Sequence, residues 1–475
     1  MPGSGHSESL HMPKARARST SDARGTLFAL PKTPEGAILP NNHSEAGECR
    51  FKESEEGEGI MRVRFPAKVF VSVIALAVAA APAFAADPQP IKIGLLYSLS
   101  GLAAVYTKGT VIGHEIAAEE INASGGLLGG RKIEYVTRDD KLKPGVAVDE
   151  FRRMVTRDQV DFVMGVISSG VALAVSEVAK ETKLLFVDTI AQTAALTEEQ
   201  GHDYVVRLNT NSVVLGRTAA LAAAKGPWKS YYFIGPDYEW GHRVNADFWD
   251  FLQKKKPDVS KLGDLWPKLG ERDFSAHITA ILNAKPDAVF ASVWGGDLIA
   301  FIKQANAYGF FEKVQFIATG AGDLDILEPL GGEMPNGIMA TFLYAFDILP
   351  TKQARNEKFI AEFKERAGYL PKSGDIIGYV STYIMAEAIK KAGTTDSVAL
   401  GNALRGSTYE TLLGDITVRD FDGQATFPYN VGFTYTDPKY PFKRLKDVTR
   451  AQGEDVLQSK EEIEKVRADY KKKGG

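Results

Sequence analysis

Residues 91–140 constrain the fold of this chain more than any other stretch, because they read as strand, helix and strand in close succession. Ile91 to Leu96 is almost continuously apolar, which is typical of a parallel strand covered on both faces. An amphipathic segment follows, with Ile112, Ile116 and Ile121 on one face. A glycine-rich break ends this segment, and a second, alternating run begins after it. The succession predicts a β-α-β unit and therefore a parallel sheet with helices on its faces.

The same alternation of strands and helices continues along the chain. A helix is predicted to begin near Pro144, and strands are predicted at Asp161 to Ile167 and at Leu184 to Val187. A second set of β-α units starts near Ser230 and continues to Thr319. Because 475 residues are too many for one hydrophobic core, two successive sets predict two similar α/β lobes.

The N-terminal part of the sequence differs from the rest. Residues 1–60 mix Pro, Gly, Ser and scattered charges without apolar periodicity, which predicts disorder or a misassigned start of translation. Residues 61–85 carry basic residues, then the apolar run Val69 to Ala81, then Ala-Phe-Ala, the pattern of a secretory signal peptide. We expect translation to begin at Met61 and cleavage after Ala85 to release an exported protein. A retained membrane anchor is the alternative, but the apolar run is short for a span of the bilayer.

Cysteine content and charge exclude several classes of function. The single cysteine, Cys49, precedes the signal segment, so the mature chain has no disulfide, no thiolate nucleophile and no lipidated cysteine. The histidines are scattered without metal-ligand spacing, and we expect no metal and no cofactor. A net charge of -3 without a dense basic stripe gives no reason to expect nucleic acid as a partner.

Two segments have the composition of ligand-binding loops at strand ends. Ser168, Ser169 and Gly170 follow a predicted strand and begin a helix, but glycines do not flank either serine as a hydrolase nucleophile requires. A serine here can cap the helix, and the free N–H groups beside it can bind a carboxylate. The polar loop Asp188 to Thr197 follows the next strand, where open α/β sheets bind ligands.

Four short motifs carry a resemblance to a known family: the Ser100-Gly101 turn, the Tyr106 to Gly109 entry, the helix end EINASGG and the Asp139-Asp140 pair. With them, the chain from about Ile91 to about Val448 resembles the leucine/isoleucine/valine-binding family of type I periplasmic binding proteins, which feed ABC importers. The resemblance implies an α/β fold of two Rossmann-like lobes. Each lobe is a mainly parallel sheet flanked by helices, and three crossover segments join the lobes around a ligand cleft.

The resemblance also divides the chain. Lobe 1 is expected to take residues 91–209 and 345–424, and lobe 2 residues 210–344 and 425–447. The charged segment 448–475 remains as a tail, which its composition predicts to be a solvated helix that frays at its end.

The function that the resemblance implies is capture of a small carboxylate-bearing ligand by lobe closure and delivery to an ABC permease in the inner membrane. The resemblance also implies a monomer. We expect no enzymatic activity, because no base, nucleophile and orienting group occur together in the sequence. A ligand-binding module of a sensor or chemoreceptor has the same ligand chemistry and stays open as an alternative.

The residues expected to bind the ligand come from several strand ends. In the resembled family, the position of Ser169 binds the ligand carboxylate, and the positions of Tyr106, Trp240 and Trp294 hold aromatic residues that line the cleft. Buried packing is the alternative for each tryptophan. The full expected set is Tyr106, Ser168, Ser169, Ile190, Gln192, Thr193, Trp240, Trp294 and Gly320.

One departure from the family bears on the ligand. The amino-acid binders hold the ligand ammonium with a glutamate, and Gly320 stands at that position here. Asp237, Asp297 or Asp323 could supply a carboxylate from another direction. Without such a carboxylate, a buried ammonium would be unpaired, so aromatic and aliphatic acids become candidates beside amino acids.

Overall fold

The computed structural model describes residues 88–348 and 354–474. The predicted extension 1–60, the signal peptide 61–85 and Cys49 lie outside these described residues. The predicted two-lobed α/β fold is confirmed, because two separate, mainly parallel sheets form and helices pack on them.

Strands and helices alternate through most of the described chain. The strands are β1 (Ile91–Tyr97), β2 (Ile133–Asp139), β3 (Phe162–Gly165), β4 (Phe186–Asp188), β5 (Val205–Arg207), β6 (Ser230–Ile234), β7 (Ser260–Leu265), β8 (Ala288–Ala291), β9 (Gln315–Ala318), β10 (Met339–Phe342), β11 (Thr408–Thr411), β12 (Gly414–Thr417), β13 (Tyr429–Tyr435) and β14 (Arg444–Ala451). The helices are α1 (Ala104–Ala123), α2 (Pro144–Arg153), α3 (Ser169–Thr182), α4 (Ser212–Ala223), α5 (Glu239–Lys255), α6 (Ser275–Ala284), α7 (Gly295–Ala307), α8 (Leu324–Leu330), α9 (Ala354–Ala367), α10 (Ser373–Ala392), α11 (Ser397–Leu404), α12 (Gly453–Val456) and α13 (Lys460–Lys472).

The first sheet has the order β2-β1-β3-β4-β5, and every neighbouring pair is parallel. Strand β1 lies between β2 and β3 and is almost wholly buried, as its continuous apolar run predicts. Strand β5 was not predicted from the sequence, because two valines followed by an arginine form neither an extended apolar run nor an alternating pattern. The carboxyl ends of β3, β4 and β5 lie side by side, which brings the loops after them together.

The second sheet has the order β14-β13-β10-β9-β8-β6-β7. Strands β10, β9, β8, β6 and β7 are parallel, and β13 and β14 form an antiparallel hairpin at the edge. Strand β14 continues to Ala451, so the first residues of the predicted tail belong to this sheet. The sequence pattern also missed β7, which is half-exposed along its length.

Three connections pass between the two sheets. The first runs from β5 to α4 through residues 208–211, the second leaves β10 after Phe342, and the third joins β12 to β13 through residues 418–428. The predicted lobe limits after residues 209, 344 and 424 fall within these connections, and we keep those limits to define lobe 1 and lobe 2.

The C-terminal helix α13 is not solvated on all sides, contrary to the sequence-based expectation. Its Ile463 is buried, and Arg467 donates hydrogen bonds to the backbone carbonyls of Thr197, Glu198 and Phe421 in lobe 1. A side-chain carboxylate of the same helix, that of Glu462, lies 3.5 Å from the guanidinium of Arg217 in lobe 2. The tail therefore contacts both lobes.

None of the helices described is long and apolar enough to cross a bilayer.

Helices α1 and α10 pack against each other through glycines. A Cβ on Gly113 would collide with the backbone carbonyl of Asp375, and one on Gly378 with the carbonyl of Thr110. The missing side chains allow the two backbones to approach, which places Tyr106 at the start of α1 beside Ser373 at the start of α10. Both residues line the cleft between the lobes.

We predict that Gly113→Ala destabilises the fold by about 1–3 kcal/mol, the usual range for overpacking a tightly packed interior site. Urea unfolding should show a lower midpoint without a change of slope. Gly145→Ala in α2 is the matched control, since a Cβ there meets no atom within 4 Å. Equal loss of stability in both variants would contradict the close packing of α1 on α10.

Candidate ligand-binding cleft

A cavity of about 190 Å³ lies between the lobes, and residues of both form its wall. This is the scale of an engineered protein cavity that binds one benzene ring. Seven of the nine predicted residues line it: Tyr106, Ser169, Ile190, Gln192, Trp240, Trp294 and Gly320. Ser168 and Thr193 do not belong to the wall. The structure thus brings most of the predicted set to one place, and the binding role of each residue remains a prediction.

On lobe 1, the beginning of α3 forms the polar end of the cavity. Ser168 occupies the N-cap position with extended backbone, but its side chain makes no capping hydrogen bond. Ser169, the first helical residue, is only 6% exposed and lies in the cavity wall. The first N–H groups of a helix lack intrahelical acceptors and carry partial positive charge. Ser169 and this helix start can therefore hold a carboxylate.

The loop after β4 forms the neighbouring part of the wall. The Asn209 side chain donates a 3.0 Å hydrogen bond to the carbonyl of Ile190, and Gln192 Nε2 donates one of 3.0 Å to Thr210 Oγ1. Thr193 is buried behind this wall, and its backbone carbonyl accepts from Arg207. Side chains of the first crossover thus hold Ile190 and Gln192 at the cavity.

Aromatic side chains enclose the cavity from both lobes. The rings of Tyr106 in lobe 1 and Trp294 in lobe 2 have centroids 6.0 Å apart, so the two lobes meet across the cleft. Tyr238 stacks on Trp240, with centroids 6.1 Å apart and planes 19° apart. The buried Nε1 of Trp294 makes no well-aligned hydrogen bond within the described chain, although the Tyr238 phenol interacts with it. Flat apolar faces with few polar groups suit a small planar ligand.

Gly320 has a backbone conformation that favours glycine. Its φ is +68°, in the left-handed region, and its N–H donates to Thr341 Oγ1 at 3.1 Å. A Cβ built there would have one neighbour within 4 Å, Asp323 Oδ2 at 3.5 Å. The cavity is therefore open beside Gly320, and a longer residue at this position would be strained by its backbone rather than by space.

Of the three aspartates considered as substitutes for a family glutamate, Asp323 alone belongs to the cavity wall. Asp297 accepts a hydrogen bond from the N–H of Gly270 at 2.8 Å, and Asp237 lies 3.0 Å from Nε2 of His242 on the surface. A second acid, Asp325, also lines the cavity, paired with Lys372 at 3.0 Å. No sequence motif marked Asp325 as a cavity residue.

The buried histidine of the first lobe is structural. His114 is fully buried, its two ring nitrogens lie 2.8 Å from Tyr97 Oη and from Thr382 Oγ1, and burial lowers its pKa to about 3. A neutral ring then joins strand β1 to helix α10. His114 does not line the cavity.

Comparison with known proteins agrees with this geometry. The sequence model of the family described as "Periplasmic binding protein" matches residues 90–432, more than half of the chain. The chain belongs to this family. A Leu/Ile/Val-binding protein homologue of Brucella suis is 29% identical over 353 residues, which cover 71% of this chain and 85% of the relative.

Solved structures of periplasmic binding proteins share the fold. A solute-binding protein of an ABC transporter from Rhodopseudomonas palustris BisB5, in complex with 3,4-dihydroxybenzoic acid, has a TM-score of 0.70 and 21% identity over 79% of this chain and 100% of that one. Another from R. palustris, in complex with 4-hydroxybenzoate, has a TM-score of 0.68 and 20% identity over 77% and 98%.

Several wall residues of this periplasmic binding protein were missed by the sequence interpretation. They are mainly residues of the crossovers and of the segments that follow them: Asn209, Leu343, Ser373, Gly374, Ile377 and Tyr429. Asn209 follows the unpredicted strand β5, which would have marked it as a strand-end residue. The others carry no local motif, because only the return of the chain between lobes brings them to the cleft.

We predict that Ser169→Ala weakens carboxylate binding by about 1–3 kcal/mol, since a hydrogen bond to a charged group is lost. The fold should persist, because Ser169 faces the cavity. Calorimetric titration with a ligand acid measures the change. Ser168→Ala is the neighbouring control and should leave the affinity within about twofold, a difference well under 1.4 kcal/mol. The opposite order of effects would assign the carboxylate contact to Ser168.

Proposed function

We propose that this protein is the ligand-capturing component of an ABC importer and acts in the periplasm. Support comes from its membership in the periplasmic binding protein family and from the signal-like segment 61–85. A solved relative of the same fold bears the description of a solute-binding protein of an ABC transporter. The protein would act without catalysis, as a monomer that docks on a permease in the inner membrane.

We further propose that its ligand is a small aromatic carboxylic acid. The observation that carries this proposal is the cavity wall, which combines the indoles of Trp240 and Trp294 with Tyr106 and has no side chain at Gly320. Ser169 and the start of α3 would hold the carboxylate. The ring would lie between the aromatic faces. The two R. palustris structures hold hydroxylated benzoic acids on this fold.

Capture would proceed by closure of the lobes. Tyr106 and Trp294 meet across the cleft, so a ligand in the cavity beside them contacts both lobes only when the cleft is closed. Binding energy that exists only in one conformation shifts the population toward it. The closed form is then the state that a permease, or alternatively a sensor, would recognise.

A sensor or chemoreceptor partner keeps the same ligand chemistry and differs only in what receives the closed protein. Genes for a permease and an ATPase beside the gene for this protein would favour the importer. A neighbouring gene for a chemoreceptor or histidine kinase would favour the sensor.

We predict that aromatic acids raise the melting temperature more than branched-chain amino acids do. A ligand at a hundredfold excess over its Kd stabilises the folded state by about 2.7 kcal/mol. The panel contains 4-hydroxybenzoate, benzoate, isovalerate and leucine at equal concentration, with thermal unfolding as the measurement. Leucine, whose ammonium would lack the family glutamate, should give the smallest shift of the four.

The aromatic wall provides a paired test of the same proposal. Trp294→Ala removes one face of the cavity and should abolish most of the shift with 4-hydroxybenzoate. Trp266→Ala is the control, because Trp266 packs on His242 outside the cavity wall. A larger rise in melting temperature with leucine than with either aromatic acid would indicate that the protein binds amino acids instead.

A further inference from the structure

Asp323 is the acidic group of the cavity wall that lies beside the open space at Gly320. It precedes α8 at the N-cap position, but its side chain does not cap that helix. The Ser373 hydroxyl donates a hydrogen bond to Asp323 Oδ1. The second oxygen, Oδ2, lies 3.5 Å from where a Cβ of Gly320 would be. One oxygen is therefore fixed by α10, and the other lies toward the empty side of the cavity.

The groups around Asp323 supply no cation to balance its charge. From α8, the carboxyl group of Asp325 is already paired with Lys372, at 3.0 Å. From α10, the carboxyl group of Asp375 accepts a hydrogen bond from the backbone N–H of Lys372. Asp375 is itself acidic and supplies no positive charge to Asp323. The phenols of Tyr106 and Tyr429 line the same cavity. Within the described chain Asp323 forms no salt bridge.

This arrangement favours the protonated form of Asp323. Removal from bulk water raises its pKa to about 8, and the nearby charge of Asp325 acts in the same direction, although the hydrogen bonds from the Ser373 hydroxyl and from the Leu343 backbone oppose both. A carboxylic acid that stays neutral near pH 7 can donate a hydrogen bond as well as accept one. An ionised carboxylate could only accept.

We propose that Asp323 binds the ligand as a neutral carboxylic acid and donates a hydrogen bond to an uncharged oxygen of the ligand. This inference rests on the proposed function, because Ser169 of lobe 1 would hold the ligand carboxylate. A ligand that joins the two lobes then carries a second polar group, which meets Asp323 of lobe 2. The class that fits is a hydroxylated aromatic carboxylate, whose hydroxyl oxygen accepts from Asp323.

Two substitutions test whether the Asp323 carboxyl contacts the ligand hydroxyl, and the pH dependence of the affinity then separates a neutral donor from an anion. Asp323→Ala removes every hydrogen bond of the carboxyl and leaves a buried ligand hydroxyl unpaired, which weakens binding by about 5- to 150-fold, equivalent to 1–3 kcal/mol. Asp323→Asn keeps a donor and an acceptor at the same place and should restore most of that loss. Calorimetry at pH 7 with 4-hydroxybenzoate measures both effects, and benzoate, which lacks the hydroxyl, should lose little affinity in either variant.

The pH profile of ligand affinity, measured on the wild-type protein alone, gives an independent readout that does not depend on whether the variants fold. Affinity for 4-hydroxybenzoate should be constant between pH 6 and pH 7 and fall toward about tenfold per unit once Asp323 ionises, above about pH 8. The benzoate profile, measured in parallel, corrects for effects that do not involve the hydroxyl.

The difference infrared spectrum of wild type minus Asp323→Asn should also contain the carbonyl stretch of a protonated acid at pH 7.

Three results would overturn the inference in distinguishable ways. Tight leucine binding that both Asp323→Asn and Asp323→Ala abolish would identify Asp323 as an anion that pairs with an ammonium. Unchanged affinity of Asp323→Ala for 4-hydroxybenzoate would show that Asp323 serves only the fold. Failure of wild type to bind any of the carboxylate probes would reject the proposed function itself, and this inference with it.

Discussion

The buried guanidinium of Arg207 is the interaction on which the geometry between the lobes depends. Arg207 is fully buried at the end of β5, and its Nε lies 2.8 Å from Asp188 Oδ2 at the end of β4. Its Nη1 donates to Gln424 Oε1 at 3.1 Å, and Gln424 Nε2 donates to the carbonyl of Asn209 at 2.6 Å. Since Asn209 and Gln424 belong to different crossovers, one cation fixes two of the three connections side by side.

The energetics of this network favour a fixed geometry more than extra stability. Burial raises the pKa of Asp188 to about 6 even though Arg207 opposes the shift. A buried ion pair contributes little net stability compared with apolar residues, but loss of one partner costs about 3–5 kcal/mol because the other charge stays buried. The same guanidinium donates to the carbonyl of Thr193, so the loop that carries Ile190 and Gln192 is held by the network that holds the crossovers. The buried Arg207 guanidinium therefore fixes both a part of the cleft wall and two of the crossovers.

Sequence reasoning found the elements whose local pattern is strong and missed those that depend on distant packing. The apolar run of β1 and the proline at the start of α2 marked their elements, whereas the three residues of β5 showed no period. In the cleft, Ser169 was identified through its place after a strand and through family resemblance, and Tyr106 through the resemblance alone. Tyr429 and Ser373 could not be, because they reach the cavity only through the second and third crossovers. The packing of the C-terminal tail was not predicted for a similar reason, because local composition does not show that Arg467 contacts lobe 1.

Ligand binding is expected to close the two lobes about the crossovers that Arg207 holds together. Small-angle X-ray scattering measures this closure, with the protein alone and with whichever probe acid saturates it in calorimetry. We expect a smaller radius of gyration with ligand, and a scattering curve that fits the closed arrangement in which Tyr106 meets Trp294. An identical curve with and without saturating ligand would show that binding does not close the lobes.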